Sequence, residues 1–233
     1  MWGGEAMFGA PGAWQRFASW RPFRLPGANL SGRAPWRSAA ALYWECGEPW
    51  PNCSDCPDTD GLAKAAWHGG LNSPHSSAVG RLFDAASAVV CDIKDVSFEA
   101  EGPMRLESLC EQHRRPIALS LLADGFGVWR TDWAPLLPML ADEHLSRRHR
   151  AEIFHSSAAH ALLAQAKLAR EACGAIRVGL TGGVFQNRVL AAEAVELLTA
   201  AGFEVHLPSA LPCNDAALCF GQIVEFAADN QGA

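Results

Sequence analysis

No apolar run in this 233-residue sequence reaches the roughly 18 residues that would span a bilayer. No basic-then-apolar leader precedes a small-residue cleavage site either. Neither a membrane protein nor an exported one is expected, and the cytoplasm is the default compartment. Charge is also scarce, at 19% of residues with a formal net charge of −6, and no basic stripe runs through it. A non-specific nucleic-acid binder is therefore not expected. The one dense basic cluster, Arg147-Arg148-His149-Arg150, is short and reads as a solvated helix face. Internal repeats and low-complexity tracts are absent, and 49% hydrophobic residues carry no disorder signature. The length suffices for one large domain or two small ones. A second cysteine pair, which a zinc site would need, is lacking too. Most of the eight cysteines sit inside apolar segments (Cys91, Cys173, Cys219) and read as small core residues. Cys53-Ser-Asp-Cys56 has zinc-ligand spacing, but a structural site needs four ligands; His68 and His75 are the remaining candidates, and loop cysteines are the simpler reading.

What is there divides into three stretches: a loop-rich start over 1–60, a mainly helical part over 61–172, and an α/β lobe over 173–233. Pro22, Pro26 and Gly27 break up the first stretch. A short helix is expected over 36–44, then helices over 62–69, 76–90 and 103–114, with short extended pieces over 117–122 and 127–129 and a proline-bearing segment over 132–140. A long helix should run from about Ser146 to Glu171, with Ile153, Phe154, Leu162 and Leu163 on its apolar side. The last third alternates strand, helix, strand, helix over 177–180, 189–201, 203–207 and 215–228. Gly202 sits where a helix-terminating glycine belongs. Such alternation predicts parallel strands in an α/β layer.

Within that lobe, Ile176 to Arg188 takes a β-branched run into Thr181-Gly182-Gly183 and then into a helix. Glycines after a strand let a ligand approach the backbone, and the following helix directs free N–H groups and its positive end at the same place. That combination seats phosphate or another oxygen-rich ligand; a plain strand-to-helix turn is the alternative. Downstream, Leu211-Pro-Cys-Asn-Asp215 puts a carboxylate at the start of the last helix, which suits a hard or borderline cation. Asp215 reads equally as the N-cap of that helix. Asp84, in an otherwise apolar helix, can accept hydrogen bonds from ribose hydroxyls or pair with Arg81 at i, i+3 on an exposed face. Asn187 can be a turn or cap residue, and His155 a buried, satisfied histidine. Met1-Trp-Gly-Gly-Glu5 reads as the middle of a strand–turn unit.

A series of segments carries a resemblance. Trp2-Gly-Gly-Glu5, Arg21-Pro-Phe-Arg-Leu-Pro-Gly27, Pro35-Trp-Arg37, Asn72-Ser-Pro74, Gly80-Arg-Leu-Phe-Asp-Ala85, Ser97-Phe-Glu99, Phe154-His155, Thr181-Gly-Gly-Val-Phe-Gln-Asn-Arg188 and Leu211-Pro-Cys-Asn-Asp215 occur in this order. The series resembles the C-terminal part of HypF, the carbamoyltransferase family of NiFe-hydrogenase maturation, over nearly the whole chain. The matching domain of that family is similar to the tRNA threonylcarbamoyladenosine transferase. The resemblance implies an α/β fold of the actin/hexokinase/Hsp70-like ATPase (ASKHA) type, incomplete at the N-terminus. Proteins of that family are much longer, with acylphosphatase-like, zinc-finger and carbamoyl-adenylate-forming domains before this one.

The resemblance implies that ATP and carbamoyl phosphate give carbamoyl-adenylate, and that the carbamoyl group moves to the C-terminal cysteine of a HypE-type partner. It places Gly80, Asp84, Gly182, Gly183 and Asn187 in a nucleotide pocket and Asp215 on a divalent metal (zinc, iron or magnesium). Glu5, Glu99 and His155 are second candidates for the site. Two departures stand out. The family's H-x-x-x-H metal pair would lie upstream of Trp2, and Asp215-Ala-Ala217 stands where the family has Asp-Gly-Gly. Two other readings stay open: a catalytically incomplete remnant or docking module, and an O-carbamoyltransferase acting on a sugar hydroxyl. Arg21-Pro-Phe and Gly80-Arg-Leu-Phe-Asp-Ala85 fit the hydrogenase branch better.

Overall fold

Short strands that pair across long stretches of chain organise the first half of the computed structural model, which describes residues 1–50 and 57–230. The opening stretch, expected to be loop-rich, contains three of them: β1 (Glu5–Phe8), β2 (Gln15–Trp20) and β3 (Phe23–Arg24). β1 and β2 form an antiparallel hairpin. β2 then runs parallel to β6 (Trp129–Thr131), and β6 pairs antiparallel with β5 (Leu121–Ala123), giving the order β1-β2-β6-β5. β3 pairs with β4 (His75–Ser76). For β2 with β6 and β3 with β4 the partners lie far along the chain, so no local pattern reveals those pairings. The cysteine pair at 53 and 56 lies outside the described residues.

Helices fill the space behind the sheet. α1 (Pro35–Glu45) has proline in its first turn, where the missing N–H costs nothing. It buries Ala39, Ala40 and Ala41 completely, and these small side chains allow close approach of α3 (Val79–Val90), which buries Ala85 and Ala86 in turn. α2 (Leu62–His68) has no fully buried residue and packs Ala63 and Trp67 against the edge of this core. α3 begins at Val79 rather than at residue 76, because Ser76 is engaged by β3. α4 (Glu101–Glu107) is shorter than the expected helix over 103–114. The reason is tertiary: side chains of α6 (Arg147–Cys173) take over the next backbone donors. Glu152 accepts from the Glu111 and Gln112 N–H groups, and Ser156 and Ser157 accept from Arg114 and Ile117. α5 (Leu136–Ala141) forms inside the proline-bearing segment.

α6 matches the expected long helix. Its 27 residues span about 40 Å; Ser146 caps its start and Gly174, with φ 73°, ends it. Arg150 corrects the reading of the basic cluster as a solvated face: it is buried and donates from Nη1 to the Leu140 carbonyl. At the centre of the core, Phe83 of α3 meets Phe154 of α6 edge-on, 4.9 Å between centroids and 87° between planes. Phe83→Ala should therefore cost about 3–5 kcal/mol, read as a fall in urea midpoint with an unchanged slope.

The last third follows the expected alternation. β7 (Arg177–Gly179), α7 (Arg188–Ala200) and β8 (Glu204–His206) form a unit in which the strands are parallel. Gly202 takes φ 81° just past α7, and the Phe203 N–H reaches back to the Leu198 carbonyl, a hydrogen-bonded helix stop. α8 (Leu218–Asn230) leaves Leu218, Phe220 and Ile223 exposed and is tied to the β1–β2 turn by Glu225, which accepts from the Gly12 N–H and the Trp14 indole. No helix among the described residues is long and apolar enough to cross a membrane.

Candidate functional site

One large cleft, about 2140 Å³ in volume, gathers the parts of the chain singled out by sequence. It exceeds the roughly 300–1,000 Å³ of ordinary small-molecule pockets. Gly80, Asp84, Glu99, Gly182, Gly183, Asn187, Asp215 and Glu5 all line it, although they come from both ends of the chain. Gln165 and Leu162 of α6 form part of the lining between them.

The elbow after β7 is built by one glycine. Gly182 has φ 106° and ψ 153°, a region essentially closed to side-chain-bearing residues, and nothing lies within 4 Å of where its Cβ would stand. Its N–H donates to the Cys213 carbonyl at 2.5 Å. This bond pins the elbow to the loop that carries Asp215, so the two features share one edge of the cleft. Gly183 opens a short 3₁₀ turn (Gly183–Gln186), and a Cβ there would meet only the Gln186 and Asn214 side chains near 3.9 Å.

Asp215 is not the N-cap. Asn214 performs that role, accepting from the Ala216 N–H at 3.1 Å, and Asp215 begins a 3₁₀ turn (Asp215–Ala217) as an exposed residue. Among the described residues no group of three or more His, Cys, Asp or Glu side chains could hold a metal. One exposed carboxylate offers a cation too few donors, since affinity grows with ligand number and preorganisation.

The helix after the elbow differs from expectation as well. The Asn187 Oδ1 accepts from the Leu190 N–H, confirming the cap, while the Glu107 carboxylate of α4 accepts from the Arg188 N–H. Two first-turn donors of α7 are thus already occupied, and an acidic group already sits at its positive end. The start of α7 is not the open anion seat the sequence suggested. By contrast, no side chain caps α3 at Ala78, and Gly80 in its first turn leaves open space toward the cleft.

Asp84 is the most unusual group in the cleft. It does pair with Arg81, whose Nη1 stands 2.9 Å from Oδ2, but Asp84 is buried and Arg81 half-buried rather than on an exposed face. The contact lacks hydrogen-bond alignment, so this buried oxygen has no hydrogen-bond partner. Burial pushes the carboxyl up to about 6; Arg81 pulls it down and Glu99 adds a smaller upward push. A buried acceptor with an open lone pair beside a cleft is a built place for a ligand hydroxyl.

The second candidates separate. Glu99 is exposed on the rim. Glu5 bridges loops: its carboxylate accepts from the Gly3 and Gly4 N–H groups, from Arg16 at 2.7 Å and from Ser77. That network fixes the Trp2-Gly-Gly-Glu5 turn and leaves little acceptor capacity for a ligand. His155 is wholly buried behind Asn187 and does not line the cleft. Gln165 was missed; it is a buried polar side chain on the apolar side of α6, hydrogen-bonded to Thr131. A lone amide in that row was the available signal.

With this geometry in place, the comparisons with known proteins are specific. Residues 1–222 match the family described as "Carbamoyltransferase, Kae1-like Domain, second subdomain". The chain is similar to the carbamoyltransferase HypF of Rhizobium leguminosarum bv. viciae, 31% identical over 95% of this chain and 29% of that protein. Against the HypF of Rhodobacter capsulatus it is 34% identical, over 98% of this chain and 30% of that protein. It also aligns with a HypF homologue of Cupriavidus necator, 32% identical over 95% and 59% of the two lengths. A crystal structure of full-length HypF in a phosphate- and nucleotide-bound form superposes with a TM-score of 0.89 at 27% identity, covering 97% of this chain and 30% of that one. The HypF of T. kodakarensis shares the fold, with a TM-score of 0.80 at 21% identity over 99% of this chain and 32% of that one. The chain thus spans less than a third of the length of the first of these relatives.

Proposed function

This chain belongs to the HypF carbamoyltransferase family, and from that premise we propose that it forms the nucleotide-handling part of an ATP-dependent carbamoyltransferase in NiFe-hydrogenase maturation. Carbamoyl phosphate and ATP are the small-molecule substrates, carbamoyl-adenylate is the activated intermediate, and the acceptor is the C-terminal cysteine of a HypE-type partner in the cytoplasm. The observation that carries the reading is the convergence of Gly80, Asp84, the Gly182–Gly183 elbow and Asp215 on one cleft.

In this reading the chain acts by position. Gly80 and Gly182–Gly183 let the nucleotide come against backbone, and the Asp84 carboxylate accepts from ribose hydroxyls. In the transfer step the partner's thiolate sulfur attacks the carbamoyl carbon and a C–S bond forms. The bond from that carbon to the phosphate oxygen breaks, AMP leaves with the electron pair, and the thiol proton has already passed to solvent. No cysteine of this chain enters the step. Asp215 is the residue we assign to a divalent cation (zinc, iron or magnesium) accompanying the phosphates.

Calorimetric titration tests this directly. ATP should bind, divalent metal alone should give no heat, and Asp215→Ala should weaken ATP–metal binding about tenfold. Absence of ATP binding, even with the remaining length of the relatives supplied as a second polypeptide, would reject the reading. The single carboxylate favours one competing view, a module that docks the partner without turnover. Mass analysis of the partner's terminal cysteine separates the two, since docking without carbamoylation supports the module.

A further inference from the structure

Behind the cleft wall a chain of hydrogen bonds runs through two residues whose orientation it fixes completely. At one end the Leu190 N–H, which can only donate, reaches Asn187 Oδ1 at 2.9 Å. The Asn187 Nδ2 must then face His155 Nε2, also 2.9 Å away, and an amide nitrogen can only donate. His155 Nε2 therefore accepts. At the other end His155 Nδ1 stands 2.8 Å from the Ala151 carbonyl, which can only accept, so the single imidazole proton sits on Nδ1. Both backbone ends permit one arrangement alone: a neutral ring of the Nδ1–H form.

We propose that His155 is a positioning residue whose neutral Nδ1–H form holds the Asn187 amide in the cleft wall, so that nucleotide occupancy of the cleft depends on His155 staying uncharged. The functional half of this inference rests on the nucleotide reading above; the proton arrangement does not. A proton on Nε2 would face the two hydrogens of Asn187 Nδ2. The amide would have to turn, which would withdraw Oδ1 from Leu190, uncap α7 and present a different group to the cleft.

The surroundings favour the neutral ring. His155 is wholly buried, with the Phe83 and Phe154 rings edge-on at 5.2 and 6.0 Å. Burial lowers its proton affinity, while the Ala151 carbonyl and the more distant carboxylates of Glu107 on α4 and Glu193 on α7 oppose that only in part. The Cys110 sulfur lies 3.4 Å from Nδ1. Its own burial and the neighbouring Glu152, Glu107 and Glu193 carboxylates push the thiol up to about 12, so no thiolate is there to stabilise an imidazolium.

The test combines imidazole nitrogen NMR with binding of a non-hydrolysable ATP analogue, both on the 233-residue chain. His155 should show a protonated Nδ1 and a bare Nε2, and should titrate below the ordinary histidine range. Analogue affinity should fall by up to tenfold per pH unit beneath that midpoint. Asn187→Asp replaces the donor with an acceptor, so the ring should become charged near neutral pH. His155→Gln, which cannot titrate, should make the acid limb shallower, leaving the part that belongs to Asp84 near pH 6. His155→Phe should cost about tenfold in affinity at every pH while the chain still melts cooperatively. An Nε2–H ring, a midpoint at the ordinary value, or a folded His155→Phe variant with full affinity overturns the inference. If the unsubstituted chain binds no analogue, the nucleotide reading fails, and the spectrum and the Asn187→Asp shift alone decide whether His155 orients Asn187.

Discussion

Asp84→Asn should make the protein more stable and a poorer binder of nucleotide at the same time. The folded-state carboxyl rises from 3.8 to about 6 through burial, which corresponds to roughly 3 kcal/mol at 1.36 kcal/mol per pH unit. For a raised acid the sign is fixed. The stabilisation belongs to the protonated form, is complete below about 3.8, and is lost as pH rises through about 6. At pH 7.5 the wild-type chain therefore carries a charged, poorly solvated carboxylate. Asparagine removes that charge but leaves Arg81 without its partner, so the net gain should be about 1–2 kcal/mol, smaller than the full figure. Thermal melts at pH 5 and 7.5 check it: the gain should shrink at the lower pH. The same substitution exchanges one acceptor oxygen for a donor, and ATP affinity should fall at least about tenfold. A variant that is stabilised yet binds ATP normally would remove Asp84 from the site. Tolerating such a cost in a buried position is what a group held for a ligand does.

The second large effect is expected at Gly182→Val. Valine at φ 106° and ψ 153° is forced into a region it does not occupy, at about 1–3 kcal/mol or more for a β-branched residue. The backbone would relax by rotating, and the rotation would break the Gly182 N–H to Cys213 carbonyl bond that aligns the Asp215 loop. Urea denaturation should show the strain, and ATP binding should drop about a hundredfold because two binding elements shift together. Gly183→Ala is the informative control. Its nearest neighbours are flexible side-chain atoms near 3.9 Å, so stability should change by less than about 0.5 kcal/mol. Equal loss in both variants would mean that side-chain bulk, and not the Gly182 dihedral, governs the elbow.

These expectations separate what was readable in the chain from what was not. The β7–α7–β8 unit announces itself through the strand–helix–strand alternation and the glycine stop at Gly202, and α6 through its length, all of it local information. Of the residues that line the cleft, Gly182 and Asp84 stand out in the sequence because each breaks a local rule, a glycine pair after a strand and a carboxylate in an apolar helix. Strands β1 to β3 were hidden, since each is at most six residues long, and β2 and β3 pair with segments far along the chain, as Ala18 does with Trp129. Occupation of the α7 start by Glu107 was equally hidden, because it crosses 81 residues of sequence. The cap went to Asn214 over its neighbour Asp215, at the head of the 3₁₀ turn that leads into the last helix, a choice between two good cap residues that only backbone geometry makes.

The tie between Glu225 and the β1–β2 turn has a consequence for the cleft rim. Trp14, whose indole donates to Glu225, also lines the cleft, so the C-terminal helix is fastened to that rim through a single side chain.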